Sequence, residues 1–294
     1  MTGKRITRRH LLAGLGLAAC SGALKATAGS KDGAEGMILA EIGSILLERK
    51  LKAKVTRRLG LGNAQALFQA VQNMDVHFYP EYSHLGYRVY FKAEEPMDPG
   101  MSTEKLRGLF RANSMTEWLD PFGFESNHCV VVRADDENFA NKTTLSEAAA
   151  DKTGWKLGFT SDFSQSPEGY TLLKTSYQVA ERVAPRIEPV GQLYFGLNEK
   201  RIDMLITTST DPLAKDAKYK TLEDDKATFK GNRGAFLLHG PTAEEKPELA
   251  QTLRLLSGKI DSATMLRLNG EVLVKKRAVA EVAAEWLNSA GFGA

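Results

Sequence analysis

The sequence predicts an α/β protein with mostly parallel sheets. Two observations carry this. Short apolar runs rich in β-branched residues alternate with longer stretches of helical period. No repeat, coiled-coil heptad or low-complexity tract interrupts the alternation. The chain has 294 residues, 43% hydrophobic and 26% charged, which suits one large domain or two lobes with an interleaved chain.

The N-terminus reads as a leader. "KRITRRHLLAGLGLAAC" opens with Lys4, Arg5, Arg8 and Arg9 and continues in an apolar run from Leu11 to Ala19. That run is too short to span a bilayer as a mature helix but suits a signal peptide over 1–19. Thr7-Arg8-Arg9 ahead of Leu11 and Leu12 resembles a twin-arginine export signal. Leu17-Ala18-Ala19-Cys20 looks like a lipobox, which would make Cys20 a lipidated first residue. Ala26-Thr27-Ala28 offers an ordinary cleavage site instead. The formal charge is +3, but removing those four basic residues leaves 35 basic against 36 acidic, about −1. No clustered basic excess remains, which argues against a nucleic-acid surface. Cys129 is the only other cysteine, so no internal disulfide framework is expected.

Beyond residue 30, "EGMILAEIGSILLERK" and "NAQALFQAVQN" repeat apolar residues at helical spacing, the second with Asn63 as N-cap. "STEKLRGLFRAN" follows, capped by Ser102. "TLSEAAA" sets Glu147 three residues after Thr144, a capping box. "HCVVVR", "WKLGFT", "RIDMLIT" and "GAFLLHG" read as buried strands. Pro167 marks a helix start in "SPEGYTLLKTSY", and "VGQLYFGLNEK" is a further helix. Three helical stretches close the chain. "AEEPMDPGMS" (93–102) is a loop.

"HFYPEYSHLG" (77–86) packs two histidines around a carboxylate and two tyrosines. A helical zinc motif needs its histidines one turn apart; here they are seven apart with Pro80 between them, so no metal site is expected. His77 and His84 then read as surface or strand-edge residues. No nucleophile elbow or phosphate loop occurs, and no cofactor is expected. His128 and Cys129 point to opposite faces of one strand, a poor base–nucleophile pair, and Cys129 reads as a small core residue. In open α/β sheets ligands gather at the carboxyl ends of strands. Two such places are visible: Pro80-Glu81-Tyr82 after "DVHFY", and Thr207 to Asp211 after "LIT". Hydroxyls and carboxylates there bind polar ligands, or merely cap turns.

Several ordered blocks resemble the substrate-binding proteins of glycine betaine, choline and related osmoprotectant ABC transporters. "GSKDGAEGMILAEIGSILLE" is similar to G-S-K-x-x-x-E-x-x-I-L-x-E. "DVHFYPEYS" is similar to I-D-x-Y-P-E-Y-T. "WLDPFGFESNHCVVVRAD" is similar to W-L-x-P-x-G-F-N-N-T-Y-A-L-A-V-R. "STDPLAKDAKYKTLEDDKATF" and "LSGKIDSATMLRLN" complete the set, so the resemblance spans 29 to about 292. It implies a two-lobed periplasmic-binding-protein (type II) fold. Lobe 1 would hold 20–122 and 236–294, lobe 2 would hold 123–235, and the ligand would lie between them. "ALKATAGSK" would be the first strand, which favours processing at Cys20 over Ala28.

Members of that family hold a quaternary ammonium in an aromatic cage by cation–π attraction. The resemblance keeps Tyr82 of that cage. It puts His128, Thr208 and Arg233 where the family has tyrosines, Gly36 where it has glutamine, and Leu85 for the threonine after Y-T-G. Ser209, Thr210 and Asp211 are kept. Asp32 and Asn127, inside two shared blocks, complete the candidate contacts. His128 could stack when neutral but would repel a cation when protonated, and Arg233 would favour a carboxylate, so a changed ligand is expected. The implied protein is an exported, monomeric solute-binding component delivering a small polar solute to an ABC permease, with a membrane anchor at Cys20. The alternative is a ligand-sensing module docking on a receptor. No catalytic constellation supports an enzyme.

Overall fold

The computed structural model describes residues 23–94 and 96–293. The leader 1–19 and Cys20 lie outside the described residues. The chain runs β1 (Lys25–Gly29), α1 (Ala34–Leu51), β2 (Lys54–Arg58), α2 (Ala64–Gln72), β3 (Phe78–Tyr82), α3 (Ser83–Phe91), α4 (Thr103–Ser114) and β4 (Thr116–Trp118). It then crosses to β5 (His128–Arg133), α5 (Leu145–Ala149), β6 (Leu157–Phe159), α6 (Ser161–Gln165), α7 (Leu172–Tyr177), β7 (Arg186–Ile187), α8 (Val190–Asn198), β8 (Met204–Thr208) and β9 (Tyr219–Leu222). It returns as β10 (Gly234–His239) and closes with α9 (Gly240–Glu245), α10 (Pro247–Arg254), α11 (Ser262–Leu273) and α12 (Val279–Ser289).

Two five-stranded sheets result, in the orders β2-β1-β3-β10-β4 and β7-β6-β8-β5-β9. The expectation of mostly parallel sheets is corrected: each sheet has two parallel and two antiparallel pairings. The cause is the double crossover. In the first sheet the returning β10 runs antiparallel between β3 and β4; in the second, β5 does the same between β8 and β9. The crossover segments pair with each other at Glu125 and Arg233.

The predicted caps are made. Asn63, Ser102 and Thr144 each accept a backbone N–H of their helix, and Glu147 completes the capping box. Four helices close the chain rather than three, because Lys246 leaves the helical region and Pro247 starts a new helix. Pro80-Glu81-Tyr82 lies inside β3 rather than after it. A proline is tolerated there because the opposing Phe236 turns its carbonyl away, accepting from Leu119 N at 2.9 Å.

Each sheet carries its own aromatic core. Around the first, Phe236 packs edge-on against Phe78 and Phe122 at 5.5 and 4.8 Å. Gly43 of α1 permits this, since a Cβ there would meet the Phe236 ring at 2.7 Å. Around the second, Phe139 stacks on Trp155 at 4.4 Å. No described helix is long and apolar enough to cross a membrane.

Candidate functional site

The C-terminal ends of β3 and β8 and the N-terminal ends of β5 and β10 all abut the two crossover segments. Apart from the bonds made by the crossover segments themselves, hydrogen bonds join the two sheet units beside that seam. Met97 N donates to Glu168 Oε1 at 2.9 Å, Arg88 Nη1 to Gln165 O at 3.2 Å, and Asn269 Nδ2 to Thr210 O at 2.9 Å.

On the first wall, Glu81 is fully buried and three donors converge on it: Tyr79 Oη at 3.0 Å, Tyr82 N at 2.8 Å and the Lys31 ammonium. Lys31 Nζ also lies 4.9 Å from the Tyr82 ring centroid, so an internal cation covers one face of that ring. The Tyr82 hydroxyl donates to Glu35, which also accepts from Asn269 Nδ2 at 2.6 Å. Burial, and then the Glu35 charge, hold that phenol well above its usual range. Phe124 meets Tyr82 edge-on at 6.5 Å.

On the second wall, His128 and Thr208 stand opposite each other in the β5–β8 register. The imidazole is only partly buried by exposure, yet Phe163 and Phe229 flank it edge-on at 4.7 and 5.8 Å. Burial, aided by nearby His84, pushes its pKa down to about 4. It is therefore neutral at neutral pH, the state in which it can stack without repelling a cation. The Thr208 hydroxyl lies 3.3 Å from that of Thr210, which lies 3.0 Å from Ser126 Oγ.

Asp211 does not present a free carboxylate. It accepts from Tyr194 Oη at 2.8 Å, Thr207 Oγ1 at 2.7 Å and Leu213 N at 2.9 Å, capping the short turn after β8. Every donor to it belongs to its own fold unit. Ser209 is likewise engaged: its hydroxyl accepts from Asn127 N at 3.2 Å and donates to Glu125 O at 3.3 Å. Asp32 is exposed beside the Gly60 turn, its N–H bonded to Gly62 O at 3.0 Å.

The crossovers are knit by polar side chains. Asn127 Nδ2 donates to Glu125 Oε2 at 2.8 Å, and Asn127 Oδ1 accepts from Asn232 N at 3.1 Å. The Arg233 guanidinium reaches Met101 O and lies 3.4 Å from Thr103 Oγ1. A cavity of about 530 Å³ opens here, lined by Phe124, Glu125, Asn127, Ser209 and Arg233 among others. A larger groove of about 710 Å³ runs between α3 and the α6–α7 region, but it contains none of the sequence candidates.

The structure thus brings Tyr82, Asn127, His128, Thr208, Ser209, Thr210 and Arg233 to one seam. Sequence reasoning missed His84, which is 6% exposed rather than a surface residue. It also missed Glu35, Asn269, Phe163 and Phe229; all but Phe163 lie inside the shared blocks. His77 is structural, its Nδ1 accepting from Thr27 N at 3.0 Å. Cys129 packs on the face opposite His128, and burial pushes its thiol up to about 12. Among the described residues no group of three or more His, Cys, Asp or Glu is placed to hold a metal ion.

Two sheets joined by paired crossovers, with polar and aromatic side chains at the seam, define a two-lobed solute-binding protein. The model of the substrate-binding domain of ABC-type glycine betaine transport systems matches residues 26–289, and the chain belongs to that family. It is 24% identical over 263 residues to the ergothioneine transport permease/binding protein EgtU of Helicobacter pylori, covering 89% of this chain but only 47% of that protein. The chain therefore spans about half the length of that relative. It is 25% identical to the carnitine transport binding protein OpuCC of Listeria monocytogenes (86% of this chain, 82% of the relative). It is 26% identical to a glycine-betaine-binding protein of Pseudomonas aeruginosa (96% and 94%). A solved glycine betaine/carnitine/choline ABC transporter structure superposes with a TM-score of 0.74 at 26% identity, over 92% of this chain and 99% of that one. Substrate-binding proteins of this kind bind small solutes outside the cytoplasm and work with permease subunits.

Proposed function

We propose that this chain captures a small polar or quaternary-ammonium solute between its two lobes and delivers it to the permease subunits of an ABC transporter. The observation that carries the reading is that the paired crossovers bring the end of β3, with Tyr82, and the β5–β8 register, with His128 opposite Thr208, to the same seam. Ergothioneine, carnitine and glycine betaine, named for the relatives, are all zwitterions with a trimethylammonium head and a carboxylate. A neutral His128 tolerates the head, and Arg233 favours the carboxylate. This keeps the family's solute class and moves discrimination away from a tyrosine cage.

We assign lobe 1 to residues 20–122 and 236–294 and lobe 2 to 123–235, supported by the strands each range contributes to one sheet, save that β10 of the first sheet begins two residues earlier, at Gly234. The protein is exported as a monomer and anchored through a lipid on Cys20. Processing after Ala28 would remove four of the five residues of β1, an inner strand paired with both β2 and β3.

Calorimetric titration of the purified mature protein with glycine betaine, carnitine, ergothioneine and choline tests the solute class. At least one carboxylate-bearing member binds with a micromolar Kd; silence from all four sinks the reading.

A further inference from the structure

Among the described residues, four buried side-chain polar atoms beside the seam have no hydrogen-bond partner: His84 Nε2, Arg88 Nε, Arg233 Nε and Asn269 Oδ1. Of these, His84 Nε2 and Arg233 Nε come from segments that are tied together. Ser83 N donates to Arg233 O at 2.9 Å, Arg233 N donates to Ser83 Oγ at 3.0 Å, and His84 N donates to Asn232 Oδ1 at 3.2 Å. Buried polar atoms without partners are rare in folded proteins and each calls for a specific cause. Here two of them lie on adjoining segments beside Tyr82, in the first turn of α3 and at the start of β10.

The neighbouring acids do not supply the missing partner. Glu168 already accepts from Met97 N and from Ser166 Oγ, both at 2.9 Å. Glu125 Oε2 already accepts from Asn127 Nδ2 at 2.8 Å and Gly231 N at 3.1 Å. Arg233 Nε is a donor by chemistry, and a neutral imidazole donates from Nε2 in one tautomer. Two donors carried on segments that are hydrogen-bonded to each other can match the two oxygens of a carboxylate.

We propose that His84, with Arg233, is the specificity-determining contact for the carboxylate of a zwitterionic solute. This rests on the reading that the seam binds a solute. Its chemistry explains how the site selects without the tyrosine cage. The position that the Y-T-G motif gives to glycine carries an imidazole here, so a side chain enters the seam from the first wall. The cationic head lies toward Tyr82 and His128, while the carboxylate end is held by His84 and Arg233. Choline has the head but lacks the carboxylate, so it is the natural negative partner.

The test is titration of wild type, His84→Ala and His84→Gln with glycine betaine, carnitine, ergothioneine and choline, alongside a thermal melt. Wild type binds its best carboxylate-bearing solute at least tenfold more tightly than choline. His84→Ala weakens that solute about tenfold and leaves any choline binding unchanged, which closes the gap. His84→Gln, which keeps an N–H donor, retains part of it and serves if the alanine variant fails to fold. An undiminished gap in the variants overturns the role of His84 while leaving the solute-binding reading intact. Choline binding as tight as the carboxylates in wild type also overturns it. Silence from all four solutes overturns both.

Discussion

The two walls of the seam solve the same task differently. On the first, the fully buried Glu81 gathers the Lys31 ammonium, the Tyr79 hydroxyl and the Tyr82 amide, and Tyr79 passes on to Tyr90 at 2.9 Å. On the second, His128 has no ionic partner among the described residues and is set against Phe163 and Phe229. The first wall is a closed polar network whose charges satisfy one another. The second is an apolar shelf with a neutral heteroaromatic ring. A network that meets its own demands fixes geometry, because any shift leaves a buried charge unpaired. An apolar shelf imposes less, so identity can change there without unfolding the lobe.

The sharpest way to break this contrast is Glu81→Ala. It leaves the Lys31 ammonium, with a side chain 12% exposed, beside two donors without an acceptor. Removing one member of a buried pair of this kind costs about 3–5 kcal/mol. Denaturant titration measures it, and a loss below about 1 kcal/mol would show that the network is not what holds the first wall.

The second wall has one anchor of its own in Asp211. Asp211→Ala orphans Tyr194, Thr207 and the Leu213 amide, and stability falls by about 1–3 kcal/mol. Solute affinity stays within about twofold, a change of under 1 kcal/mol. A large affinity loss at unchanged stability would return Asp211 to the binding site.

The smallest effect concerns acid. Free histidine sites titrate near about 6.5, whereas His128 in the fold titrates at about 4. Above the first value both states are neutral there and nothing changes. Between the two, the unfolded chain binds a proton that the folded chain refuses, so stability falls as pH drops through that window. His77, His84 and His239 are also held low by burial and add to the slope. His128→Phe reduces the slope without abolishing it. Denaturation midpoints at pH 7.5 and 5.5 decide this, and identical slopes in variant and wild type would mean His128 is not held neutral.

Much of this was readable beforehand. The helices declared themselves through period and caps, as at Asn63, Ser102 and the Thr144–Glu147 box. The long apolar strands β5, β8 and β10 were equally plain. The strands that escaped notice were β2, β4, β7 and β9, whose sequences KVTRR, TEW, RI and YKTL are short, charged or both. Such segments become strands because a neighbouring edge pairs with them, not because of their own pattern. The mixed sheets escaped for a related reason: strand direction depends on which unit the chain returns to.

At the site, Tyr82, His128, Thr208 and Arg233 were found by matching blocks, a reading confined to positions where a motif already expects a contact. His84 was passed over because its spacing from His77 excluded a metal, and nothing local revealed that Arg233, 149 positions later by number, would lie beside its turn. The sequence by itself determined the element types, the caps and the family blocks, since these are local properties of composition and period. Tertiary structure alone decided that Lys31 covers Tyr82, that His128 stays neutral and that His84 Nε2 and Arg233 Nε are left without partners. Those outcomes depend on desolvation and on contacts between segments far apart in the chain, and neither is written in any short stretch of it.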